Sequence, residues 1–259
     1  MQPVLLVGAG PGAADLMTVG AAEAVRNAEA LLYDALVCDE VVALAPPGCV
    51  RIRTGKRGGK ASMRQETINR LMLRLAQRGL RVVRLKGGDP SIFGRSGEER
   101  AFLESHGVPV EVIPGVTAAS AAAAQFGFPL THRGEARRLT FATARTSDGA
   151  VVEGGWARAA DPETTLVLYM AGEAAGAVAQ RLIAEGRHPS TPALAVENAG
   201  RPDAKLVQCD LAGLPSAVGR ARFEGPVLLL VGEVAAKAAQ PVSAELPPRN
   251  LRRAAGQGT

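Results

Sequence analysis

Apolar positions along this chain fall into two periods. Short apolar runs bounded by glycine, proline or aspartate read as buried strands, and apolar residues three and four apart read as helix faces. Residues 3–7 predict a strand that ends in Gly8-Ala-Gly-Pro-Gly12, and a helix follows over about 19–27 with Thr18 placed to cap it. Residues 30–33 predict a second strand, ending at Asp34, and residues 50–53 a weaker third that opens into the basic, glycine-rich loop 54–60. Ser62-Met-Arg-Gln65 fits a capping box. The helix after it lines up Ile68, Leu71, Met72 and Leu75 and stops at Gly79. Residues 80–85 form the next strand, followed by Lys86-Gly-Gly-Asp-Pro90. Ser96-Gly-Glu-Glu99 is a second capping box, with a helix running to His106 and a stop at Gly107. Residues 108–113 predict a strand ending in Pro114-Gly-Val-Thr117, and an alanine-rich helix runs on to about Gln125.

Residues 126–137, rich in glycine, proline and charge, read as a linker. Beyond them strands are predicted at 138–143, 165–170, 192–197, 205–209 and 226–231, with one clear helix over 173–185 that stops at Gly186. Strands alternating with helices make the fold class α/β. The expected organisation is an N-terminal α/β domain over 1–130, a C-terminal α/β domain over 138–240 and a disordered tail over 241–259.

Composition narrows the field. At 259 residues the chain can bury a sizeable core without a disulfide or metal staple. Aromatic residues are 3%, poor material for base-stacking platforms, and no block of lysine and arginine marks a nucleic-acid arm, so no nucleic-acid partner is expected. No apolar run reaches a membrane span and no secretory leader is read, and the three cysteines form no CxxC pair, so the expectation is a cytoplasmic protein without a membrane partner. The three histidines lie far apart, which argues against a metal site. The net charge is +5, and lysine stands only at 56, 60, 86, 205 and 237. The arginine excess fits a GC-rich coding bias, or an acidic ligand held by guanidinium forks.

The candidate chemistry lies in the glycine loops. Three strands end in glycine, at Gly8-Ala-Gly-Pro-Gly12, Lys86-Gly-Gly-Asp-Pro90 and Pro114-Gly-Val-Thr117, and ligands of open α/β sheets sit at such strand ends. Each loop alone reads more readily as a tight turn; three together suggest one crevice. Asp89 could accept ribose hydroxyls or pair with a cation, and Thr117 could donate to a carboxylate. The first loop also satisfies the dinucleotide fingerprint through Gly8, Gly10 and Ala13, with Asp34 as the ribose-binding acid. Two features oppose that rival. Ala-Ala-Asp-Leu-Met-Thr separates the loop from its helix, and Pro11 removes an N–H where a pyrophosphate wants donors. The loop 54–60 is either a solvated surface loop or a clamp for a polyanion. His132 with Arg133 and Trp156 read as surface and packing residues. Glu197-Asn198 could line a pocket or cap a turn. No Ser/His/Asp order or G-x-S-x-G elbow is present.

Taken in order, Val7-Gly-Ala-Gly-Pro-Gly12, Leu31-Leu-Tyr-Asp-Ala-Leu-Val37, Gly55-Lys-Arg57, Arg84-Leu-Lys-Gly-Gly-Asp-Pro90, Phe93-Gly-Arg-Ser-Gly-Glu-Glu99, Ile113-Pro-Gly-Val-Thr-Ala-Ala-Ser120, Pro129-Leu-Thr-His-Arg133, Tyr169-Met170 and Val196-Glu-Asn-Ala199 resemble the uroporphyrinogen-III C-methyltransferases of the tetrapyrrole (corrin/porphyrin) methylase family. The resemblance runs from Val4 to about Val234. It implies two α/β domains with a cofactor cleft between them, usually in a homodimer. It implies transfer of methyl groups from S-adenosyl-L-methionine to two pyrrole rings of uroporphyrinogen III, giving precorrin-1 and then precorrin-2 for sirohaem or cobalamin, with S-adenosyl-L-homocysteine as by-product. By the family pattern Pro11, Gly87, Gly88, Asp89, Ile92, Thr117, Ala118, Met170 and Ala199 line the cofactor site, and Asp34 and Lys56 match the proposed proton acceptor and donor.

The residues suit that chemistry. A substrate bearing carboxylates suits an arginine-rich cleft, and Arg84 and Arg95 beside the second loop are the candidate contacts. A pyrrole carbon is its own nucleophile, so the chain needs to supply alignment, exclusion of water and a proton acceptor. The sequence departs from the family at Ala13-Ala14 (usually Asp-Pro), Ser91 (usually Phe), Thr143-Ala-Arg145 (commonly Thr-Gly-His) and near Asp203 (usually Gln). A later precorrin methylase, a dinucleotide-dependent oxidoreductase and a silent tetrapyrrole-binding protein stand as alternatives.

Overall fold

The computed structural model describes residues 2–55, 63–144 and 161–239. Lys56, Ser62, Arg145, Trp156 and the tail 241–259 therefore lie outside the described residues. The described residues build two five-stranded sheets. The first contains β1 (Val4–Gly8), β2 (Ala30–Tyr33), β3 (Val50–Arg53), β4 (Val82–Lys86) and β5 (Val110–Ile113), in the order β3-β2-β4-β1-β5. All its pairings are parallel. The continuous apolar runs of β1 and β2 follow from this, because a parallel sheet is covered on both faces. Alternate residues of one strand enter two different cores. Val7, Leu31, Val83 and Leu85 pack against α1 (Val19–Arg26) and α2 (Asp39–Val42). Val4, Leu6, Leu32 and Val82 pack against α3 (Gln65–Gln77) and α4 (Ser96–Ser105). The same alternation sends Arg84 and Lys86 toward α4.

The second sheet has the order β6-β7-β10-β8-β9, from β6 (Arg138–Thr143), β7 (Thr164–Tyr169), β8 (Pro192–Glu197), β9 (Lys205–Asp210) and β10 (Val227–Val231). Only β6 and β7 run parallel; the other pairs are antiparallel. One face packs on α6 (Ala175–Ala184) and α7 (Leu214–Ala221). The other receives α5 (Ala118–Gln125), which arrives from the first half of the chain. The small side chains Ala119 and Ala122 let α5 lie close to Val167, Val196 and Leu228. The segment expected as a linker anchors this core, with Phe126, Phe128 and Ala136 buried. Among the described residues no helix is long and apolar enough to cross a membrane.

Thr18 caps α1 as expected, accepting from the Ala21 amide at 3.2 Å. Neither capping box forms. Arg64 and Arg95 occupy the N-cap positions, so Gln65 and Ser96 are already helical, and neither N-cap side chain makes a capping bond. The Ser96 hydroxyl instead donates to the Pro90 carbonyl at 2.6 Å, and Glu99 turns into the interior. α7 was not expected; it is short, with proline in its first turn and Gly219 inside it. α2 is a single four-residue turn, below what periodicity can detect.

The ends of β1, β4 and β5 meet without side chains between them. A Cβ on Gly8 would lie 2.6 Å from Gly115 Cα and 2.7 Å from the Gly88 carbonyl, and a Cβ on Gly115 would lie 2.3 Å from that same oxygen. The obstructing atoms are all backbone, so no rotamer change relieves them. Gly8→Ala is expected to lower stability by about 1–3 kcal/mol, as overpacking does. Urea unfolding checks it, and an unchanged midpoint would mean that the three strand ends can part freely.

Candidate active site

The three glycine loops close over a cavity of about 300 Å³ at the carboxyl edge of the first sheet. Gly10 and Gly88 exchange backbone hydrogen bonds of 3.2 and 2.7 Å, which ties the first loop to the second. Gly10 at φ 74° and Gly88 at φ 70° sit in the left-handed region that glycine enters without strain. Asp89 ties the second loop to the third. One carboxylate oxygen accepts from the Gly115 amide at 2.9 Å, and the other accepts from the amide and hydroxyl of Ser91. Burial pushes the Asp89 carboxyl up, but the Ser91 and Gly115 donors outweigh it and hold the group below its ordinary value. Ser91 thus has a local role that the phenylalanine usual in the family has no hydroxyl to fill.

Asp34 lies where β2 ends. Its two oxygens accept from the Leu36 amide at 3.0 Å and the Gly87 amide at 3.1 Å. Both bonds come from backbone, so the carboxylate is fixed in direction at the cavity wall. Thr117, at the start of α5, shares a short hydrogen bond with the Tyr169 phenol from β7, which also accepts from the Ala119 amide at 3.4 Å. This contact joins the two sheets across the cavity and satisfies one of α5's free N-terminal amides. Burial pushes the Tyr169 phenol up. Phe93 and Phe141 pack on its ring, with centroids 5.1 and 5.7 Å away.

Beneath the second loop sits an ion cluster. Glu99 is fully buried, and Arg84 and Lys86 are each 4% exposed. The Arg84 Nε donates to one Glu99 oxygen at 3.0 Å, and the Lys86 Nζ to the other at 2.8 Å. Gln65 donates to the same oxygen as Arg84, at 3.0 Å. Burial and the neighbouring Arg84 pull the Lys86 ammonium down, against Glu99 and Asp34, and the balance lies below its ordinary value. Arg84, Lys86 and Gln65 all line the cavity.

The second half supplies the opposite wall through Met170, Val196, Asn198, Ala199, Arg201 and the strand entry at Pro226 and Val227. Glu197 holds that entry by accepting from the Glu224 and Gly225 amides at 2.5 and 2.6 Å, with Lys205 at 3.0 Å. Asp203, one of the departures, accepts from the Asn198 amide group at 2.8 Å. Arg201 donates to the Leu36 carbonyl at 2.8 Å and so closes the second half against the first. Backbone strain gathers here. Phe93, Arg95, Met170 and Asn198 all line the cavity with φ between 52° and 56°. Non-glycine residues held in that region mark places where surrounding structure imposes a conformation.

All the residues that the family pattern assigns to the cofactor border this cavity: Pro11, Gly87, Gly88, Asp89, Ile92, Thr117, Ala118, Met170 and Ala199. Asp34, Arg84 and Arg95 border it too, Arg95 on the rim and bridged to Glu98 at 2.7 Å. Sequence reasoning gave no cavity role to Tyr169, Phe93, Gln65 and Arg201, named Lys86 only as part of the second loop, left Asn198 between lining a pocket and capping a turn, and read Glu99 only as a capping residue. The dinucleotide rival loses its footing. The first loop leads into a 3-10 turn, Ala14–Leu16, before α1 begins, so no helix N-terminus faces it directly.

Comparison with known proteins places this geometry. A profile of the Tetrapyrrole (Corrin/Porphyrin) Methylases matches residues 3–215. The siroheme synthase of Azotobacter vinelandii is 46% identical over 89% of this chain and 50% of its own length. The uroporphyrinogen-III C-methyltransferase of Paracoccus denitrificans is 42% identical over 92% of this chain and 83% of its own. The chain spans about half the length of the siroheme synthases it matches. The crystal structure of a Thermus thermophilus uroporphyrin-III C-methyltransferase complexed with S-adenosylhomocysteine is 41% identical, with a TM-score of 0.78 over 90% of this chain and 99% of its own.

The Asp89 hydrogen bonds predict a pH dependence. Its carboxyl is depressed in the folded state, so below about pH 4 the unfolded chain binds more protons. The stabilisation is present above the unfolded value and is lost as pH falls through the folded one. Asp89→Asn is expected to destabilise at pH 7 by about 1–3 kcal/mol, since it removes the charge from these bonds. The gap from the unsubstituted chain narrows in acid. Urea titrations at pH 7 and pH 3 measure it; a gap that stays constant would show that the charge of Asp89 contributes nothing.

Proposed function

The chain belongs to the tetrapyrrole (corrin/porphyrin) methylase family, and from that premise we propose that it methylates uroporphyrinogen III on two pyrrole rings, giving precorrin-1 and then precorrin-2, with S-adenosyl-L-methionine as donor. The observation that carries the reading is the two-sided cavity. Glycine backbone, Pro11, Ala118, Ala199, Val196 and Leu228 line it together with Arg84, Lys86, Gln65 and Asp34. A mostly apolar pocket with a few placed polar groups suits a sulfur nucleoside. The cations suit an acidic macrocycle.

When bound, S-adenosyl-L-methionine supplies a sulfonium methyl; the pyrrole carbon bonds to it as the sulfur–carbon bond breaks, leaving S-adenosyl-L-homocysteine. The chain's own residues then have limited tasks. Gly87, Gly88 and Thr117 bring backbone and hydroxyl groups close to the donor, and Met170 offers a soft apolar contact. The methylated ring is cationic and must shed a proton, and Asp34, aimed by the Leu36 and Gly87 amides, is positioned to take it. Lys56, outside the described residues, is the matching proton donor by family pattern. Arg95 on the rim contacts substrate carboxylates, while Arg84, nearly buried and paired with Glu99, belongs to the charged floor beneath them. A homodimer and a cytoplasmic location complete the proposal, the former checked by light scattering.

Incubation with uroporphyrinogen III and the methyl donor should yield singly and doubly methylated products by mass spectrometry, and their absence would defeat the reading. S-adenosylhomocysteine should raise the melting temperature and NAD should not. Asp34→Asn, which retains an acceptor for the backbone, is expected to bind S-adenosylhomocysteine normally and lower kcat on the order of 10²- to 10⁴-fold. Turnover that survives this substitution removes Asp34 from proton transfer.

A further inference from the structure

We infer that the ion cluster under the second glycine loop is a carboxylate-binding floor for the macrocycle, with Lys86 the contacting cation and Glu99 the residue that positions it. The inference rests on the functional reading above. Its basis is stoichiometry. Two nearly buried cations share a single buried carboxylate. Both oxygens of Glu99 are occupied, one by Arg84 and Gln65 and the other by Lys86. An ammonium has three donors, and Glu99 takes one from Lys86. Asp34 and Glu98 add weaker charge attraction to Lys86, and the oxygens of Asp34 accept from the Leu36 and Gly87 amides.

A purely structural clamp between β4 and α4 needs only one cation. Arg84 with Glu99 would hold the helix to the strand as a neutral pair, and the second cation adds desolvation without adding a partner. Lys86 therefore leaves the cluster one positive charge in excess, and that charge borders a cavity. A substrate carboxylate completes a one-to-one pairing. The depressed affinity of Lys86 for its proton agrees with a cation that is short of anionic partners.

The position is also fixed in advance. A Cβ on Gly94 would lie 3.1 Å from Lys86 Cε, so the loop rests on the lysine stem. Glu99 holds the far end. A carboxylate could come from the macrocycle or from the amino-acid part of the methyl donor. Arg84 and Lys86 gather as cations around Glu99 at the cavity wall, and a macrocycle that carries several carboxylates suits that charge better than a donor that carries one, which favours the macrocycle.

Lys86→Met keeps the stem and leaves Arg84 and Glu99 as a balanced pair. It is expected to raise KM for uroporphyrinogen III on the order of 10- to 100-fold, the scale of one charge-assisted hydrogen bond, with Kd for S-adenosylhomocysteine within about twofold. Lys86→Arg, which keeps the charge, should recover most of that KM. Glu99→Gln keeps the side chain's shape but releases both cations, and should raise KM while sparing S-adenosylhomocysteine. An unchanged KM in Lys86→Met, or a Lys86→Arg as impaired as Lys86→Met, overturns the assignment. So does a loss of S-adenosylhomocysteine affinity in step with KM, which would give the contact to the donor or to cavity shape. No methylation by the unsubstituted chain would remove the premise and the inference together.

Discussion

Three backbones touching at Gly8, Gly88 and Gly115 set the position of everything else in the site. The Gly88 carbonyl would lie 2.7 Å from a Cβ on Gly8 and 2.3 Å from one on Gly115, so β1, β4 and β5 can converge only where side chains are missing. Convergence brings the first loop into hydrogen-bonding range of the second, and Asp89 within 2.9 Å of the third. The cavity then has walls of peptide groups, which are polar, small and rigidly oriented. Such walls can approach a ligand more closely than side chains could. The strained residues around the rim fit the same picture: Phe93, Arg95, Met170 and Asn198 are held in the left-handed region by loops whose courses are already fixed.

The carboxylates divide between building the site and serving it. Asp89 and Glu197 accept from backbone amides and hold loop shapes, the second setting the entry to β10 from behind. Glu99 sits deeper and manages cations. Asp34 has both characters, since amide bonds to Leu36 and Gly87 fix its direction while it faces the cavity. Under the proposed function, a proton acceptor held in this way loses little on reorganising, which is the advantage of preorganised polar groups over solvent. Tyr169 and Arg201 do for the two sheets what Asp89 does for the loops, one through Thr117 and the other through the Leu36 carbonyl.

The strands were legible because burial on both faces writes continuous apolar runs, as in Val4–Gly8 and Ala30–Tyr33. Gly79, Gly107 and Gly186 stop helices with positive φ, so those boundaries were legible too. The two capping boxes misled for one shared reason. Gln65 and Glu99, the N3 members of the two patterns, hydrogen-bond to each other at the ion cluster. A local motif and a long-range contact competed for the same side chains, and sequence spacing registers only the first. Lys86 and Tyr169 were overlooked on similar grounds. A lysine at a strand end and a tyrosine in an apolar run look ordinary until the topology shows what they face. The segment 126–137 looked like a linker because its polar residues outnumber Phe126 and Phe128, yet those two rings decide its place.

A glycine loop after the first strand of a parallel sheet does not by itself specify a phosphate. What recognises a pyrophosphate is a run of free N–H groups at the mouth of a helix. Here Pro11 removes one donor, the Gly10 amide is engaged by Gly88, and the Ala13 amide is engaged by the Gly200 carbonyl at 2.9 Å. These donors join the first loop to the second loop through Gly88 and to the second half of the chain through Gly200. The same glycines that would cradle an anion in a dinucleotide fold serve here to let two pieces of backbone meet. The positive charge of the site lies on side chains, Arg84, Lys86, Arg95 and Arg201. Under the proposed function an acidic ligand would be met by these side chains and the nucleoside by backbone. That division of labour, rather than the glycine spacing, separates this cavity from a nucleotide site built on the same type of sheet.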